Sequence, residues 1–106
     1  YDKALQIQPN LLDALINKGV ALHSLGKYSD AISFYDNALT ADGKCAIALA
    51  YKGLSLGELG QVEEALTYFK KALVIDRDYD LAQLSKKMAQ DILKSKMKEL
   101  GRSKIQ

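Results

Sequence analysis

His23, Ser24, Cys45 and the Glu63-Glu64 pair are the residues of this chain whose types could do chemistry, and their spacing decides whether they do. His23 and Ser24 are adjacent on a predicted helix, where neighbouring residues point in different directions, so no nucleophile-base geometry follows. One histidine and one cysteine provide no metal-ligand spacing. Gly57 to Gly60 lacks the following Lys-Ser or Lys-Thr of a phosphate loop. Glu63 and Glu64 open a predicted helix, where acidic side chains favour the helix dipole without any catalytic role. The expectation is a chain with no catalytic residue, no metal, no cofactor and no small-molecule substrate.

Charge is the second candidate source of function. The net charge is +2 over 106 residues, but residues 1–85 carry about −3 and residues 86–106 about +5. Lys86, Lys87, Lys94, Lys96, Lys98, Arg102 and Lys104 could meet phosphates or an acidic partner. No aromatic residue is interleaved to stack a base, and Asp91 and Glu99 interrupt the run. The simpler reading is a solvated helix end with a frayed tail, with lysines complementing the helix dipole. Nucleic-acid or acidic-partner binding is therefore the alternative, not the first expectation.

The elements that position these side chains come from repetition. Ala4-Leu5, Ala38-Leu39 and Ala72-Leu73 recur at a shift of about 34 residues, a helical-repeat period. The same shift pairs Leu15 with Leu49, Lys18 with Lys52, Gly19 with Gly53, Leu22 with Leu56, Gly26 with Gly60, Ala31 with Ala65 and Tyr35 with Phe69. Leu12, Leu15, Ile16, Gly19, Leu22 and Leu25 keep the three-and-four rhythm of one helical face, and Tyr28, Ala31, Ile32, Tyr35, Ala38 and Leu39 keep it in the next helix. Gly26 and Gly60 follow the last apolar residue of their helices and suit the left-handed conformation that ends a helix. Pro9-Asn10 offers a break and a cap, and Asp76 to Asp80 several candidate caps. No strand pattern competes.

A glycine inside a helix costs about 1 kcal/mol relative to alanine, so Gly19 and Gly53 at one phase imply close helix packing, expected against Ala31 and Ala65. With Ala38 and Ala72 these six small residues form the expected structural signature. The residues matched at the repeat shift follow the pattern W-x2-L-G-x2-Y, A-x3-F, P, and the chain resembles the tetratricopeptide repeat family. Leu15 and Leu49 stand in the Trp slot, Leu22 and Leu56 in the Tyr slot, and Tyr35 and Phe69 in the Phe slot. Lys18 and Lys52 replace the leucine before the glycine, and Gly43 and Arg77 stand where the closing proline belongs. The resemblance implies an all-α solenoid of antiparallel helix-turn-helix repeats with a C-terminal capping helix. Residues 1–11 read as the second half of a truncated repeat, 12–45 and 46–79 as repeats, 80–100 as the capping helix and 101–106 as a tail. Lys87 in the glycine slot marks where repetition stops, and the cut repeat at Tyr1 reads as the edge of a fragment.

Nearly half the residues are hydrophobic (48%), as in one compact domain, and no run reaches the roughly 18 apolar residues of a membrane span. A cytoplasmic protein without membrane contact is expected, with Cys45 as a small, partly buried residue between repeats. In proteins similar to this one the first helix of each repeat lines an inner surface. Here that surface carries Ile16, Asn17, Val20 and His23, then Ile47, Tyr51, Leu54, Gly57 and Glu58, then Leu81, Leu84 and Met88. It is expected to be an apolar groove for an amphipathic helix or extended peptide, and the protein a non-catalytic interaction module or assembly scaffold. A homo-oligomer covering the same residues, or a regulatory module of a larger enzyme, are the other readings. Gly57 replaces its counterpart His23, leaving either a hollow beside Leu54 and Tyr51 or a tolerated helix defect. The family's carboxylate clamp, which grips chaperone tails with Lys, Asn and Arg, finds only Asn17, because Ile47, Tyr51, Leu81 and Ser85 occupy its other places.

Overall fold

A computed structural model describes the backbone of residues 9–105 and the side chains of residues 11–100. The expected half-repeat at Tyr1 to Ile7, including Ala4 and Leu5, lies outside the described residues. Five helices follow in order: α1 (Pro9–Ser24), α2 (Tyr28–Ala41), α3 (Ala46–Glu58), α4 (Val62–Ile75) and α5 (Asp80–Ile105). Each packs chiefly on its neighbours in sequence, giving an elongated body of 61 × 29 × 20 Å. This is an all-α helical repeat.

The turns within repeats are set by the two glycines. Gly26 has φ +80° and Gly60 φ +87°, where a side chain would strain the backbone. Around the first, Lys27 N–H donates to Leu22 O at 2.9 Å and Gly26 N–H to His23 O at 2.9 Å. Gln61 to Leu56 and Gly60 to Gly57 repeat the pair at 2.9 and 3.0 Å. This reciprocal closure satisfies the last carbonyls of α1 and α3 and sends the chain back antiparallel.

The turns between repeats use aspartate instead. Asp42 and Asp76 end α2 and α4, and their carboxylates accept the N–H of Lys44 at 3.0 Å and Asp78 at 3.2 Å. Such local closure explains why neither turn needs the family's proline. Asp76 thus closes a turn instead of capping α5, and Asp80 is already the first residue of that helix. Pro9, expected as a break, is the first residue of α1, where its missing N–H has no helical partner to lose. Asn10 therefore lies within the helix and not at its cap. Helix α5 continues through the segment expected as a tail, to Ile105.

The signature alanines lie at the helix crossings. Ala31, Ala38, Ala65 and Ala72 are buried, and Ala38 meets Ala48 as Ala72 meets Ala82 one repeat later. Added methylenes at such crossings typically cost about 1–3 kcal/mol. The glycines have a different partner from the one expected. A Cβ on Gly53 would lie 2.5 Å from Phe69 Cε1 and 2.8 Å from its Cδ1, and one on Gly19 would strike the Tyr35 ring in the same way. It is the aromatic rings, not Ala31 and Ala65, that require glycine here.

Candidate functional site: two junctions along the inner face

Helices α1, α3 and α5 lie along one side of the stack, α3 touching both of the others, and this is the side expected as the inner face. On α3, Ile47, Tyr51, Leu54 and Glu58 follow the three-and-four spacing of one side. Asn17, Ile47, Glu58, Leu84 and Met88 are exposed, and Val20, His23, Tyr51, Leu54, Gly57 and Leu81 are half-buried. Ile16 departs from expectation. It is only 8% exposed and packs with Ala38 and Ala48, so it belongs to the seam between repeats and not to the open face. Leu54 also packs partly on the core formed by Leu56, Val62 and Phe69.

The face contains two junctions related by the repeat, and they differ in chemistry. At the first, His23 Nδ1 and Ser55 Oγ share a 2.8 Å hydrogen bond. The His23 ring meets Tyr28 edge to face at 5.0 Å between centroids, an arrangement favoured by the ring quadrupole. Tyr28 hydroxyl donates to Glu58 Oε2 at 3.3 Å, long for such a bond. Ser55 and Tyr35 are both fully buried, and Tyr35 stacks on Tyr51 at 6.0 Å. The Tyr35 hydroxyl makes no hydrogen bond of good geometry among the described residues, although Ser55 is near enough to oppose the rise of its pKa. Burial, and then Tyr51, push that phenol up to about 12.

At the second junction the three equivalent positions hold Gly57, Ala89 and Phe69 in place of His23, Ser55 and Tyr35. All three line an open hollow of about 130 Å³ between α3, α4 and α5, together with Leu54, Met88 and Ile92. A Cβ on Gly57 would meet only Ala65 Cβ, at 3.9 Å, so packing does not demand glycine there. The hollow approaches the roughly 150 Å³ of an engineered apolar cavity that holds a benzene ring. Met88 is 57% and Ile92 46% exposed at its mouth.

Sequence reasoning placed Gly57, Leu54 and Met88 on this face but missed Ala89, Phe69 and Ile92. The signal was available at the repeat period, since Ala21, Ser55 and Ala89 occupy one slot. Among the described residues no cluster of His, Cys, Asp or Glu could hold a metal, and no helix is long and apolar enough to cross a membrane. Cys45 is half-buried at the seam between the repeats.

A stack of helix hairpins with small residues at its crossings and an open inner face defines a helical-repeat protein. The tetratricopeptide repeat pattern matches residues 12–45 and again residues 46–79, and the chain belongs to that family. Among solved structures it is similar to the second TPR of Spaghetti (RPAP3) bound to HSP90 peptide SRMEEVD, at 25% identity and a TM-score of 0.81, covering 88% of this chain and 85% of that one. The Sgt2 TPR domain from Aspergillus fumigatus is 27% identical with a TM-score of 0.77, over 83% of this chain and 58% of that one. The first TPR of Spaghetti, at 20% identity and a TM-score of 0.75 over 88% and 74%, shares the fold. No curated protein sequence matches significantly.

Proposed function

We propose that this chain is a non-catalytic protein-binding module whose inner face takes an amphipathic helix or an extended apolar segment of a partner. The hollow at Gly57 carries the reading: it is open and mostly apolar, with a volume of about 130 Å³, and Gly57, Ala89 and Phe69 in its lining differ from their counterparts in the preceding repeat. An anchor side chain of the partner, leucine or phenylalanine, would fill it, as buried anchors do at the centre of other interfaces. Leu54, Met88 and Ile92 would cover the flanks of that anchor.

The Spaghetti domain binds an acidic HSP90 peptide, which supports a peptide partner in general. An acidic tail needs compensating donors when desolvated. On the inner face of this chain, Ile47, Tyr51 and Leu81 occupy three of the places where a carboxylate clamp has polar or basic residues. The proposed partner is therefore apolar at its contact.

A displayed library of helical peptides, selected on the native chain, tests this. Selected peptides should carry a large apolar residue and lose at least tenfold affinity, about 1.4 kcal/mol, on Gly57→Leu with the melting temperature retained. Peptides that bind both proteins equally would sink the reading.

A further inference from the structure

Lys52 stands where the family pattern has leucine, and the fold does not leave it in water. Its side chain is 15% exposed, paired to Asp36 at 2.6 Å, with its ammonium 4.5 Å from the centre of the Tyr68 ring. Lys71 approaches the same ring to 4.8 Å. Leu49 and Lys52 lie on the side of α3 away from Leu54 and Glu58, so this cluster is remote from the inner groove. It lines a cleft of about 600 Å³ between α2 and α4, with Leu39, Leu49, Val74 and Ile75 as apolar walls. Val74 is 84% exposed.

Two ammonium groups face one carboxylate in this cleft. The Lys52 to Asp36 pair is the one salt bridge found among the described residues, so Lys71 brings a charge that only an aromatic face balances there. One repeat further, a cleft of about 360 Å³ between α4 and α5 is lined by Arg77, Lys86 and Lys87 with no acidic residue. The outer side of the molecule thus presents two successive cationic clefts, the first with apolar walls and the second with Leu73 as its apolar residue.

We propose that these clefts form a second docking site, for an extended segment of a protein partner in which acidic and large apolar residues alternate. One carboxylate sits between Lys52 and Lys71, an apolar neighbour lies on Leu39 and Val74, and a second carboxylate reaches Arg77 and Lys86. Lys52 is largely desolvated and keeps donors beyond the one given to Asp36, and such an ammonium favours a carboxylate over water; Lys71 and Arg77 add exposed positive charge beside it. The apolar walls disfavour nucleic acid, and the one ring in the first cleft, Tyr68, is already occupied by two cations.

Amide NMR of the whole chain, titrated with acetyl-Leu-Glu-Leu-Glu-Leu amide, tests the site. Saturable shifts should centre on Leu39, Lys52, Tyr68, Lys71 and Val74, and should weaken about tenfold or more when the peptide's Glu residues become Gln or the protein carries Lys71→Gln. Lys52→Leu restores the family residue and should fold normally, since the Asp36 carboxylate it leaves behind is half exposed and stays hydrated, yet lose the peptide. Equal shifts with the Gln peptide, shifts at Leu54 and Met88 instead, or tighter binding of oligouridylate at the same residues would each overturn the proposal. So would the absence of saturable shifts.

Discussion

Where α1 and α2 meet α3, three positions hold His23, Ser55 and Tyr35; one repeat later, where α3 and α4 meet α5, the same positions hold Gly57, Ala89 and Phe69. The turns at Gly26 and Gly60 close with the same pair of backbone hydrogen bonds. The first junction is filled by a ring that is hydrogen-bonded to a buried hydroxyl, and the second is left open. Repetition supplies equivalent places, and side-chain chemistry at those places decides whether the face is closed or receptive. The glycines make the point again, because Gly53 is required by the ring it touches and Gly57 is not.

The largest expected effect breaks the comparison at the glycines. Gly53→Ala and Gly19→Ala should each destabilise by about 1–3 kcal/mol through overpacking against Phe69 and Tyr35, lowering the melting temperature by about 4–8 °C per kcal/mol in a domain of this size. Gly57→Ala should instead stabilise by about 0.5–1 kcal/mol through helix propensity. Thermal unfolding that ranks the three variants alike would remove the distinction between scaffold and site.

Transplanting the first junction onto the second sharpens it. Gly57→His combined with Ala89→Ser should fill the hollow and weaken groove-selected peptides at least tenfold, about 1.4 kcal/mol, by fluorescence titration. Unchanged affinity would mean that the hollow plays no part. The converse pair, His23→Gly with Ser55→Ala, should create a second hollow that takes the same class of peptide.

The smallest effect concerns the buried phenol. Tyr35→Phe copies Phe69 and removes a hydroxyl that lacks a good partner among the described residues, so near neutral pH it should change stability by less than about 1 kcal/mol. Its alkaline behaviour is more informative. Because burial raises the folded-state pKa from 10.0 to about 12, the folded chain holds this proton longer than the unfolded chain. The associated stability is intact below pH 10 and is lost as pH rises towards 12. Denaturant melts across that window should therefore fall more steeply for the native chain than for Tyr35→Phe, and parallel curves would contradict the burial argument.

Much of the fold was legible because each signal was local. The three-and-four apolar rhythm marked α1 to α4, and Gly26 and Gly60 marked turns whose left-handed backbone excludes side chains at little cost to glycine. The site was legible only in part. Gly57, Leu54 and Met88 were placed on the inner face by helical phase together with the family resemblance, which implies that first helices line it, but Ile16 shares that phase and is buried, because α2 and α3 close over the first repeat there. Gly19 was assigned to Ala31 by size matching, whereas the contact depends on how far the Tyr35 ring reaches across the hairpin.

The sequence by itself determined the period, the helices, the turns and the small residues at the crossings. Those properties depend on backbone conformation and on residue volume, which repeat with the chain. Only the tertiary structure decided which equivalent positions became a hydrogen-bonded lock, a hollow or a lysine held between a carboxylate and a ring. Those outcomes depend on side chains from three helices meeting at one point; the repeat register shows that Gly57 and Ala89 each depart from their counterparts, but only packing shows that they, or Asp36 and Lys52, meet.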